Sequence, residues 1–205
     1  MGNVRGGYFE FKNKAKTLID IGAYRTSSFT VTNNNKADDA RTGITTASLF
    51  GVLRARAEFG RLIQPADDTP GAALVAVLSH EYFQRRFGGD RSILGHNLET
   101  SSDTYEIVGV AEPRLTLPMP GPFASQSNLA GFGVDVWVAL QLNPAGPFYN
   151  SHQYVGVARL RDGVRSGAAQ RELSEIVSRF PETLGRAYSG GFMKTYNFRT
   201  EVSEL

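Results

Sequence analysis

The 205-residue sequence contains no cysteine. That excludes a disulfide framework, a zinc–thiolate centre and a thiol nucleophile. Long hydrophobic runs are also missing. The longest, Ala72–Leu78, has seven residues, whereas a membrane-spanning helix needs about 20. Met1–Arg5 passes straight into a polar, amphipathic stretch, so the expectation is that no signal peptide opens the chain. Neither sign of charge dominates. Twenty-two basic against 20 acidic residues leave a net charge of +2, too even a balance for a nucleic-acid partner. The phosphate-cradling G-x-x-x-x-G-K-[ST], the nucleophile elbow G-x-S-x-G and the zinc motif H-E-x-x-H are all absent. Gly131-Phe132-Gly133 approaches the dinucleotide fingerprint but leads into Val134-Asp135 and a strand pattern, not a helix. Taken literally, these absences describe a soluble cytosolic domain. The lack of cysteine suits a periplasm equally well, since disulfides there are optional.

What is present reads as an ordinary globular chain, 41% hydrophobic and 20% charged. A chain of this size buries roughly 70% of its unfolded surface, so its core needs no metal or disulfide. Tyr8–Ile19 has helical spacing, with Phe11, Ala15, Leu18 and Ile19 on one side. Tyr24–Thr32 and Arg41–Thr46 read as a hairpin around an Asn- and Asp-rich turn, and Ala47–Leu53 as a short apolar helix. After the Pro/Asp/Gly loop at Gln64–Gly71, Ala73–Leu78 is a buried strand. Ser79 caps a helix over Glu81–Phe87, and Asn97–Ser102 with Thr104–Val110 form a second hairpin. Pro113–Gly133 is a long loop. Val136–Leu142 and His152–Leu160 are strands, and Ser166 caps a helix that runs to Phe180, with Pro181 as its stop. Tyr196–Val202 reads as a closing strand. The order is α β β α, a β-rich middle, then β α β.

Few residues suggest chemistry. Ser79-His80 are adjacent at a helix start and point in different directions, so a cap and an exposed first-turn residue outweigh a catalytic pair. His80, His96 and His152 lack metal-ligand spacing. Asp67-Asp68 precede Thr69-Pro70-Gly71 and read as turn formers before they read as a calcium or acid–base site. Arg85-Arg86 fit a solvated helix face better than an anion site. The proline- and glycine-rich loop Pro118–Gly133 is the better candidate for a partner contact, through Phe123, Leu129 and Phe132. A loop tucked on its own core is the alternative.

An ordered series of segments begins with Ala47–Leu53, Glu58–Arg61 and Pro65–Ala72. It continues through Val75–Asp90, Ile93–Gly95, Tyr105–Pro113, Asp135–Val138 and Val157–Val164, and closes on the helix carrying Ala169 and Arg171–Leu173. The series covers nearly the whole chain and resembles the periplasmic core domain of MacB-like ABC transporter permeases. The likeness is nearest to the large permease-like branch common in soil bacteria such as acidobacteria. Phe83 stands where the family usually has tryptophan, and Ser101-Ser102-Asp103 lacks the usual turn glycine. Neither departure touches a catalytic residue, since the family domain has none.

The resemblance implies an α+β fold in two lobes. A porter-like βαβ lobe is built from both chain ends, residues 1–63 and 150–205, and a β-rich lobe of residues 64–149 is inserted between them. It also implies a domain on the periplasmic side of the inner membrane, with no catalytic, cofactor or metal residues of its own. ATP would belong to an associated ATPase domain or subunit. The implied partners are flanking transmembrane helices, that ATP-binding subunit, a second permease copy, and a periplasmic adaptor or substrate. The domain would couple ATP hydrolysis to export or signalling. Two other readings compete: a free-standing periplasmic ligand-binding module, and a hydrolase using Ser79 and His80.

Overall fold

The computed structural model describes residues 5–33, 36–118, 132–143 and 154–204. Helix α1 (Arg5–Lys14) leads into a long hairpin of β1 (Leu18–Asn33) and β2 (Lys36–Thr45). Short elements follow: α2 (Ser48–Leu53), β3 (Ala57–Gly60), β4 (Val75–Leu78), α3 (His80–Phe87), β5 (Asn97–Thr100) and β6 (Thr104–Ala111). The pair β7 (Thr116–Leu117) and β8 (Phe132–Gly133) is separate from the main sheet. Strands β9 (Val136–Ala139) and β10 (Val155–Leu160) then precede α4 (Ser166–Ser178), α5 (Phe180–Thr183) and α6 (Gly190–Thr195). Among the described residues, no helix is long and apolar enough to cross a membrane.

The fold is α+β, built on one mixed sheet in the order β10-β1-β2-β9-β4-β6-β3. The β1–β2 hairpin is antiparallel, whereas β2–β9 and β4–β6 are parallel. The sheet is therefore continuous from strands near both chain ends into strands of residues 64–149. Strand β5 pairs with β6 and also with the far end of β1, at Val31 and Thr32.

Alternation in the central strands feeds a core on each face. Ala76, Leu78, Val136 and Val138 join Tyr82 and Phe83 of α3 on one side. Val75, Val77 and Trp137 join Leu49, Phe50 and Val52 of α2 on the other. This is why β4 is apolar throughout: both its faces are covered. A third core gathers Tyr8 and Phe11 of α1, Leu18, Ile21 and Ala23 of β1, and Leu173, Val177, Phe180 and Tyr188.

Several sequence expectations move. Leu18 and Ile19 belong to β1, not to the first helix, which ends at Lys14. Leu18 is buried opposite Leu160, and a register shift follows at the exposed Ile19. Asp38 and Asp39 lie within β2, where Asp39 accepts a hydrogen bond from Thr30 across the ladder. Arg165 holds the N-cap position of α4, and Pro181 sits in the first turn of α5, just past the end of α4. The closing strand at Tyr196–Val202 does not form. The Gln170 side chain takes over the strand partner's role, donating to the Thr200 carbonyl and accepting from the Val202 N–H. Phe198 turns in against Phe180.

Candidate functional site

The polar constellations singled out in the sequence can each be placed. Ser79 directly follows β4 and is buried. Its Oγ accepts the Tyr82 N–H at 3.1 Å, the bond of an N-cap. His80 turns the other way, its Nδ1 2.6 Å from Glu58 Oε2 on edge strand β3. The two adjacent residues therefore serve different neighbours.

Asp67 and Asp68 also diverge. Asp67 is gripped by both Nη atoms of Arg61, at 2.5 and 3.0 Å, and accepts the Gln64 N–H. Burial pushes its carboxyl up, but the Arg61 guanidinium and the Gln64 N–H outweigh that and hold it low. Asp68 accepts the Ala47 N–H at 2.9 Å and the Gln141 N–H at 2.8 Å, one on each oxygen. Burial dominates there and raises its pKa. Gln141 in turn donates to the carbonyls of Asp67 and Ala72. Of two acids that read as turn formers, Asp68 thus ties the loop to the start of α2 and to the chain beyond β9, while Asp67 ties it back to Arg61.

Arg85 does not stand alone with Arg86. Its Nη2 donates to Asp135 Oδ1 at 3.0 Å, while Arg41 reaches both oxygens of the same carboxylate from β2, at 3.1 and 3.2 Å. The backbone N–H of Arg41 adds a further bond at 2.9 Å. Asp135 therefore joins β2, α3 and the entry to β9. Sequence reading passed over it as a functional residue. The signal was a lone acid directly before the apolar run Val136–Val138.

A cleft of about 450 Å³ opens between α1 and α2. Tyr8 Oη and Ser48 Oγ are 3.1 Å apart across it, and Lys12 Nζ donates to Tyr8 Oη at 3.2 Å. Ser48 also donates to the Ile21 carbonyl, so the contact with α1 is anchored on β1. Sequence reading missed this site, because it forms only when residues about 40 apart meet.

Phe123 and Leu129 of the expected partner loop lie outside the described residues. Phe132 is placed by its backbone alone, in β8 opposite Leu117. Among the described residues, no group of three His, Asp or Glu side chains is arranged to hold a metal.

The same fold occurs in known proteins. The solved periplasmic region of MacB from Actinobacillus actinomycetemcomitans superposes with a TM-score of 0.63 at 15% identity, over 98% of this chain and 86% of that one. The extracellular domain of the noncanonic ABC-type transporter YknZ, from Gram-positive bacteria, gives 0.64 at 14% identity, covering 90% and 85%. A domain of a putative permease protein from Porphyromonas gingivalis gives 0.61 at 19%, covering 87% and 72%. No curated protein matches the chain in sequence. The family model of the MacB-like periplasmic core domain matches residues 9–176. The chain therefore belongs to that family, as the periplasmic domain of a MacB-like ABC transporter permease.

Proposed function

We propose that this domain makes and breaks no bonds, and that it transmits to the periplasm a movement driven by ATP hydrolysis at an associated ATPase domain or subunit. Flanking membrane helices would deliver the movement. A second permease copy, an adaptor or the exported substrate would receive it, in export or in signalling.

The observation that carries this reading is the aromatic core shared by the two ends of the chain. Phe180 packs on Phe11 of α1 and on Phe198 near the C-terminus, at centroid distances of 6.0 and 6.2 Å. A load arriving at either end would reach the same packed unit, and from there β1, the longest strand of the sheet. Close packing passes displacement on with little local yielding.

The test begins in the encoding gene. Apolar segments of about 20 residues are expected immediately before Met1 and after Leu205. In the full permease, Phe180→Ala should uncouple ATP hydrolysis from transport while leaving hydrolysis itself in place. Polar flanks on both sides, or ATP hydrolysis by the purified domain alone, would overturn the reading.

A further inference from the structure

The cleft between α1 and α2 has features that the transmission reading does not use. Its volume lies in the range of small-molecule sites. Gly51 lines it from α2 and is exposed, and a Cβ built there would meet nothing within 4 Å. Packing therefore does not require glycine here, although glycine costs a helix interior about 1 kcal/mol relative to alanine. What the missing side chain provides is room in the cleft.

The charges lining the cleft are unequal. Lys12, Asp20 and Asp68 line it, one ammonium against two carboxylates. Lys12 Nζ lies 3.9 Å from Asp20. Asp68, less exposed than Lys12, makes no ion pair among the described residues, in contrast to Asp67 with its arginine. Each Asp68 oxygen accepts one backbone N–H, the Leu140 N–H and the Lys12 charge act on the carboxylate more weakly, and lone pairs remain on both oxygens. Phe9, Pro65 and Leu142 supply apolar wall beside these groups.

We propose that the α1–α2 cleft is a binding site for a small organic ammonium ion with an apolar body. The ammonium would lie at Asp68, the body against Phe9, Pro65 and Leu142, and Gly51 would keep the space open. The cavity and its charges carry this proposal independently of the transport reading.

Benzylamine, benzyl alcohol and benzoate share a ring and differ in charge, so they form the test set. Titrated into the isotope-labelled chain, benzylamine should shift the backbone amide resonances of Lys12, Gly51 and Asp68 saturably. The alcohol should bind about tenfold more weakly, the loss of one charge-assisted hydrogen bond, and benzoate more weakly still. Gly51→Leu should abolish benzylamine binding with the rest of the spectrum preserved. Asp68→Asn should weaken binding about tenfold. If that variant fails to fold, Asp20→Asn, whose side chain is 40% exposed, tests the charge and should weaken the amine several-fold. Equal binding of the three probes, unchanged affinity in Gly51→Leu, or shifts that never saturate would each overturn the proposal.

Discussion

Asp135 is only 4% exposed, yet its two arginine partners are more than half exposed. The arrangement places the expensive charge inside and leaves the cations hydrated, so the carboxylate gains two partners without burying either guanidinium. Burial pushes the Asp135 carboxyl up. The Arg41 side chain and backbone N–H, together with Arg85, outweigh that and hold it below its ordinary 3.8. A carboxyl held low in the folded state stabilises it at pH values above the unfolded pKa. That contribution drains away as pH falls through the folded value. Asp135→Asn should therefore be clearly less stable than the parent in urea at neutral pH, and the gap should narrow at about pH 3. A gap that stays constant between the two conditions would mean that hydrogen-bond geometry, not charge, carries the contribution.

At the scale of elements, α2 seats directly on β1 because Gly22 has no side chain. A Cβ at Gly22 would lie 2.5 Å from the Leu49 Cα and 2.7 Å from its Cβ, with backbone in the way. Gly22→Ala should push α2 off the sheet and cost about 3 kcal/mol, near the top of the range for overpacking. Gly51→Ala, on the same helix, should instead stabilise by about 0.5–1 kcal/mol, since its Cβ enters open space. Thermal unfolding of the two variants should move in opposite directions from the parent. This contrast was not legible in the sequence, where both positions are simply glycines within apolar patterns. The cap at Ser79 was legible, because a polar residue between the apolar run Val75–Leu78 and an amphipathic stretch has few other uses. The middle of the β1–β2 hairpin, at Tyr24–Thr32 and Arg41–Thr46, and most of β4 were legible from composition and alternation, but the full length of the hairpin was not. Nor was long-range pairing. Leu18 and Ile19 continue a helical spacing, yet β10 claims Leu18 for the sheet and Ile19 falls at the register shift beside it. Tyr196–Val202 has strand composition but pairs with no strand among the described residues, and the Gln170 side chain bonds the Thr200 carbonyl and the Val202 N–H instead. At the candidate sites, Asp67, Asp68 and Arg85 were visible as charged residues. Of their partners, Arg61 lies only six residues before Asp67, but Gln141 and Asp135 come from elsewhere in the chain, and no local pattern names them.

Across the whole molecule, the three cores differ in what they hold together. Two lie on opposite faces of the central strands and fix the sheet, while the third fixes α1 to the C-terminal segments. Phe180, 1% exposed, is the centre of that third core, touching Phe11, Tyr188 and Phe198. Phe180→Ala should cost about 3–5 kcal/mol, the range for a large aromatic removed from a packed interior. The loss should be regional. Amide hydrogen exchange should accelerate in α1 and in residues 190–202 together, while Val77 and Trp137 in the central strands keep their protection. The two accelerated segments are far apart in sequence, so their joint release would report the shared core and not local fraying. If only residues 190–202 lose protection, α1 is held by its bonds to Ser48 and β1 alone. The two ends would then move separately, and a load could no longer enter the sheet through both as one unit.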